Sequence, residues 1–94
     1  MAEENKRDNT ILVGVKPSMA YVLATMTQFS NGENEVHIRA RGKAISKAVD
    51  VAEILRRKFL RDIKVKEIQI STEERQAEGN KKINVSVIAI TLAK

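Results

Sequence analysis

Four cations fall within the nine residues Arg39-Ala-Arg-Gly-Lys-Ala-Ile-Ser-Lys47, with no acid among them. Side chains of these types hold phosphate, the guanidinium as a planar fork of donors and the ammonium as a compact point charge. The local pattern is a strand end, a glycine turn and a helix start. Val36, Ile38 and Ala40 alternate with His37, Arg39 and Arg41, and an amphipathic stretch opens after Gly42. A helix N-terminus already presents unpaired N–H groups and the positive end of the macrodipole, so Arg41 and Lys43 add mobile charge where anions are favoured. Gly42 would let an anion approach the backbone closely. A second turn, Gly14-Val-Lys-Pro-Ser18, likewise joins a glycine and a lysine to a helix start. The competing reading of the basic run is a solvated turn on an ordinary small domain.

The elements that must position these turns are legible from periodicity. Residues 1–9 read as a flexible polar N-terminal arm and residues 10–94 as a single domain. Ile11-Leu-Val-Gly-Val15 reads as a short, well-buried strand. Pro17 suits a first helical turn, Met19, Val22, Leu23 and Met26 recur as one apolar face, and Asn31-Gly32 closes that helix. A strand over 35–41 feeds a longer helix over 44–59. Its stripe is Ile45, Ala48, Val49, Ala52, Leu55 and Phe59, and its Glu53 and Arg57 are spaced for an ion pair. Two β-rich runs, 63–72 and 83–92, flank a polar segment whose Gly79-Asn80 pair marks a turn, so they read as a long hairpin. The apolar Val87-Ile-Ala-Ile90 suggests a strand covered on both faces.

The expected fold class is therefore α/β: a two-layer sandwich of order β-α-β-α-β-β, with a mixed four-stranded sheet and a long C-terminal β-hairpin. Right-handed crossovers make the first three strands run parallel. Turns after parallel strands open at their C-terminal edge, where open α/β sheets bind ligands, so neighbouring strands would bring Lys16, Arg41 and Lys43 together.

Composition narrows the function classes. The chain has 94 residues, 43% hydrophobic and 31% charged, with a formal charge of +5. That balance suits a small globular domain with polyanionic partners, nucleic acid first and an anionic membrane second. A chain of this length removes only about 60–65% of its unfolded surface from water, which makes a homodimer the expected state. No apolar run approaches a membrane span and the N-terminus has no signal-like apolar core, so an intracellular location is expected. There is no cysteine and one histidine, which leaves no thiol chemistry and no expected metal or cofactor site. Ser46 lacks a convincing base, and Gly42-Lys43 lacks the spacing of a P-loop, so no enzymatic activity is expected. His37 reads as a plain strand residue.

Three segments, Gly14-Val-Lys-Pro-Ser-Met-Ala-Tyr-Val22, Arg39-Ala-Arg-Gly-Lys-Ala-Ile-Ser-Lys-Ala-Val-Asp50 and Asn84-Val-Ser-Val-Ile-Ala-Ile90, resemble the Alba family of small basic archaeal chromatin proteins. The likeness covers nearly the whole chain from Ile11 onward. In architecture the chain also resembles the C-terminal domain of bacterial translation initiation factor three. The Alba resemblance implies a homodimer, cytoplasmic and associated with the chromosome, that coats and compacts double-stranded DNA with little sequence preference and also binds RNA. It implies backbone contacts from Lys16, Arg41 and Lys43, with Arg39 and Lys47 flanking them. It further implies hairpin arms that carry Arg75, Lys81 and Lys82 toward the minor groove, although Glu73, Glu74 and Glu78 dilute that charge. Phe59 would help dimers pack side by side on DNA, with core burial as the alternative. Where the family often has a lysine pair after the glycine, this chain has Val15 then Lys16, which removes one phosphate contact and any control by lysine acetylation at position 15. Ala89 stands where a glutamate is common.

Electrostatic binding of this kind loses affinity with salt at a log–log slope of about −0.9 per phosphate contact. Tyr21, Phe29 and Phe59 are too few and too helix-placed to stack single strands, so duplex or structured RNA is the expected ligand form. Tyr21 and Phe29 read instead as packing residues. Two alternatives stand beside the chromatin reading: an RNA-binding subunit that supports ribonuclease P or protects structured RNA through the same surface, and a dimerisation module whose charge only confers solubility.

Overall fold

The computed structural model describes residues 9–94, so all of the expected N-terminal arm except Asn9 lies outside the described residues. The order is β1 (Thr10–Val13), α1 (Ser18–Ser30), β2 (Glu35–Arg41), a 3-10 turn (Gly42–Ala44), α2 (Ile45–Ile54), a wide π-helical turn (Leu55–Phe59), β3 (Lys64–Ala77), a tight turn (Glu78–Asn80) and β4 (Lys81–Ala93). This is the expected β-α-β-α-β-β sandwich.

The four strands form one sheet in the order β1-β2-β4-β3. β1 runs parallel to β2, and β4 runs antiparallel to both β2 and β3, so the first three strands share a direction. β4 lies between β2 and β3. That position explains its unbroken apolar run, because Val87, Ile88, Ile90, Thr91 and Leu92 are all buried. One face of the sheet, with Ile11, Val13, Val36, Ile38, Ala40, Ile88, Ile90 and Leu92, packs on the helices. Their partners are Val22, Phe29, Ala48, Val51, Ala52 and Leu55. Val22, Val36, Ile38, Val51, Leu55 and Leu92 have no more than 2% of their surface exposed. Each such side chain contributes about 1.5–3 kcal/mol on burial, so this layer between helices and central strands carries most of the apolar stabilisation.

Several expectations need correction. β1 ends at Val13 and is half-buried: Leu12 is 63% and Val15 97% exposed, because β1 is an edge strand whose second face has no layer against it. In α1 the buried positions are Val22, Thr25 and Phe29, while Met19 and Leu23 face outward. Thr25 can be buried because its hydroxyl donates to the Tyr21 carbonyl at 2.8 Å. Pro17 stands just before α1 with ψ 152°, one residue outside the first turn. Val49 is exposed and Val51 takes its place in the α2 core.

The 73–82 segment is also strand almost throughout. Cross-strand pairs continue from Ser71–Val87 out to Ala77–Lys81, and only Glu78–Asn80 makes the turn, with Gly79 and Asn80 both at positive φ (72° and 64°). Backbone ladder bonds hold this hairpin, and its polar side chains on both faces hide the period-2 signal. Asn31 and Gly32 (φ 101°) do close α1, and Glu53 pairs with Arg57 at 3.6 Å while also accepting from Arg56 at 3.0 Å.

Candidate nucleic-acid interface

Parallel β1 and β2 end side by side, Val13 beside Ala40, and each hands over to a helix at the same edge of the sheet. The turn after β2 needs Gly42 for its positive φ of 55°, and Lys43 follows in the 3-10 turn that leads into α2. No acid occupies the first turn of either α1 or α2. The two turns border an open cleft of about 540 Å³ lined by Leu12, Gly14, Arg39, Arg41, Lys43 and Lys47, among others. Four cations therefore share one concavity, at the edge where helix N-termini add their partial positive charge. An open, cationic cleft suits an extended polyanion better than an enclosed small molecule.

Lys16 sits on the rim rather than in the lining, and its side chain is exposed. Its backbone is held from two sides. The Tyr21 hydroxyl accepts the N–H groups of Gly14 (2.9 Å) and Lys16 (3.1 Å). The Lys47 ammonium donates to the carbonyls of the same residues, at 2.9 Å for Gly14 and 2.6 Å for Lys16. The Lys16 N–H draws the Tyr21 phenol below its ordinary pKa; desolvation opposes, and the Gly14 N–H and the charges of Lys47 and Lys16 assist.

Arg41 is not idle. Its Nε donates to Glu73 on β3 at 2.8 Å, and Arg75 approaches the same carboxylate oxygen at 3.8 Å. The hydrogen bond from Arg41 holds the Glu73 carboxyl below the usual range, against desolvation and helped by the charges of Arg41, Arg75 and Arg39. A carboxylate thus already occupies part of the cationic surface. Arg39 faces the open side of the sheet, between Leu12 and Ala89 on the neighbouring strands. His37 on that face meets the Thr91 hydroxyl at 3.0 Å.

The remaining sequence candidates lie apart from the cleft. Lys81 and Lys82 are exposed at the far end of the hairpin. Phe59 is 44% exposed and lies beside Phe29, Leu60 and Ile63 at the opposite end of the helical layer. Two residues acquire roles that the sequence did not announce. Tyr21 carries no local signal that its hydroxyl returns to a turn five to seven residues earlier, and Glu73 shows its pairing with Arg41 only once the hairpin is placed. Among the described residues no cluster of three or more His, Cys, Asp or Glu side chains could hold a metal ion, and no helix is long and apolar enough to cross a membrane.

Comparison with known proteins agrees with this architecture. A family model described as Alba matches residues 9–72. The DNA/RNA-binding protein Alba of Methanocella arvoryzae is 59% identical over 85 residues, spanning 90% of this chain and 88% of that protein. DNA/RNA-binding protein Alba 1 of Archaeoglobus fulgidus is 58% identical over 93% of this chain and 97% of its own length. Among solved structures, Alba from Thermoplasma volcanium superposes with a TM-score of 0.86 at 56% identity, covering 90% of this chain and 99% of that one. ALBA1 from Trypanosoma brucei gives 0.71 at 32% identity, covering 93% and 69%.

Proposed function

Because this chain belongs to the Alba family, we propose that it binds double-stranded DNA and structured RNA through phosphate contacts, as a homodimer that coats the chromosome and performs no catalysis. What carries the reading is the cleft between the two strand-to-helix turns, where Arg39, Arg41, Lys43 and Lys47 converge and Lys16 stands at the rim. Relatives named for binding both DNA and RNA support either polynucleotide as ligand. Arg39, Arg41, Lys43 and Lys16 supply charge rather than base readout, since cations on a sheet edge meet phosphates before bases. Arg75, Lys81 and Lys82 extend the contact along the hairpin.

Dimerisation is supported by a row of apolar side chains that the helices leave bare. Val65, Ile68 and Ile70 lie on the helix-side face of β3, 37%, 56% and 79% exposed, while α1 and α2 pack over β1, β2 and β4. An apolar edge strand of this kind invites a partner. Phe59, half-exposed on another surface, would join neighbouring dimers on the duplex.

The test is a salt titration of binding to matched, mixed-sequence duplex DNA and duplex RNA, run for the wild type and for the triple variant Lys16→Ala, Arg41→Ala, Lys43→Ala. The expected result is a steep wild-type slope that falls by about 0.9 per lost contact in each protomer. Tighter binding to RNA than to DNA would favour the RNA-subunit role. An unchanged slope in the variant would move the interface elsewhere, and no binding by the wild type would leave only a dimerisation module.

A further inference from the structure

The turn Gly14-Val15-Lys16 has little of its own to hold it in place. Val15 is 97% exposed, Lys16 and Pro17 are exposed, and the strand before the turn has ended at Val13. No apolar side chain of the turn anchors it. Instead, two side chains from different helices engage four backbone groups: the Tyr21 phenol oxygen accepts both N–H groups of Gly14 and Lys16, and the Lys47 ammonium donates to both carbonyls.

We propose, building on the functional reading above, that Tyr21 and Lys47 are positioning residues for polyanion binding, clamping the 14–16 turn to the start of α2. The clamp fixes where Lys16 presents its charge relative to Arg41 and Lys43. Tyr21 lies one turn into α1 and Lys47 lies in the first turn of α2, so the pair ties the loop after β1 to the helix that follows β2. A loose turn would have to be ordered each time Lys16 met a phosphate, and that lost entropy would be subtracted from the affinity. With the clamp, ordering is complete before the ligand arrives. An ammonium has three N–H donors, and Lys47 commits two of them to the turn, so it acts through Lys16.

This assignment separates two quantities. A residue that neutralises a phosphate sets the salt slope, whereas one that only orders the loop sets the affinity at every salt concentration. The experiment compares Tyr21→Phe, Lys47→Met and Lys16→Ala on a dye-labelled, mixed-sequence DNA duplex, with log Kd measured against log salt. Lys16→Ala should lower the slope by about 0.9 per contact. Tyr21→Phe removes no charge and should keep the wild-type slope while binding about 3- to 10-fold more weakly, the range set by losing an ordinary hydrogen bond. Lys47→Met should likewise weaken binding. Wild-type affinity in Tyr21→Phe or in Lys47→Met overturns the proposal.

A second measurement needs no ligand. Amide hydrogen exchange at Gly14 and Lys16 should accelerate in Tyr21→Phe while the Ile38 and Leu92 amides of the central strands keep their protection. Unchanged exchange at Gly14 and Lys16 overturns the clamp even if binding falls. A wild-type chain that ignores duplex sinks the functional reading, and the exchange data then decide by themselves whether the clamp exists.

Discussion

Glu73 places a single acidic side chain within a cationic surface. It accepts from Arg41 at 2.8 Å and attracts Arg75, so a phosphate that recruits either cation must displace a carboxylate already in place. Glu73→Gln should therefore tighten duplex binding by a few-fold, measured at fixed salt by fluorescence anisotropy; equal or weaker binding would show that Arg41 need not be released. The same pair makes an acid-side prediction. Contact with Arg41 depresses the folded pKa of Glu73, so its contribution to stability is fully present above the unfolded carboxylate value and is lost as pH falls through the lower folded value. Thermal melts recorded below about pH 5 should lose less stability per pH unit in Glu73→Gln than in the wild type. Because the pair is largely solvated, the difference will be small.

The π-helical turn that ends α2 carries the two ends of one apolar stripe into different surroundings. The Leu60 N–H reaches the Leu55 carbonyl at 2.8 Å, five residues back, and the widened turn leaves Leu55 fully buried but Phe59 44% exposed. Leu55→Ala should destabilise the fold by about 2–5 kcal/mol in urea unfolding. Phe59→Ala should cost less stability and instead remove cooperativity from the duplex-binding isotherm; a cooperative isotherm in that variant would confine Phe59 to packing. The sequence could not show this division, because Leu55 and Phe59 both fit a helical stripe. It did define β2, where Val36, Ile38 and Ala40 alternate without interruption with His37, Arg39 and Arg41 and the strand spans residues 35–41 as expected. The hairpin was harder to read, since Glu73 to Lys82 is polar on both faces and its strand character rests on pairing with a distant partner. Thr25 was missed for a related reason, as its burial depends on a bond to the Tyr21 carbonyl. The basic turns were legible because glycine, lysine and helix starts are local signals, whereas the Tyr21–Lys47 clamp arises only when α1 and α2 meet.

The whole molecule is elongated, 46 × 28 × 23 Å, with the β3–β4 hairpin as its extension beyond the helical layer. One chain thus matches the length of about 13 base pairs at 3.4 Å per pair, and on the proposed reading its cations would meet phosphates at both the cleft and the hairpin. Pairing two chains through Val65, Ile68 and Ile70 would double that reach. Ile68→Lys combined with Ile70→Lys should shift the sedimentation profile to a monomer while leaving the far-ultraviolet circular dichroism intact, because both side chains lie outside the core. The paired variant should also bind duplex more weakly. A dimer that survives both lysines would place the contact on another face.

The strand order bears on how the sheet closes. β4 follows β3 in the chain, yet it lies in the sheet between β2 and β3, and among the described residues β3 pairs with β4 alone. Without β4 the ladder is reduced to the short β1–β2 pair. Closing the sheet therefore requires a non-local step, the pairing of positions as distant in the chain as Ile38 and Ile90, which is the kind of contact that slows folding.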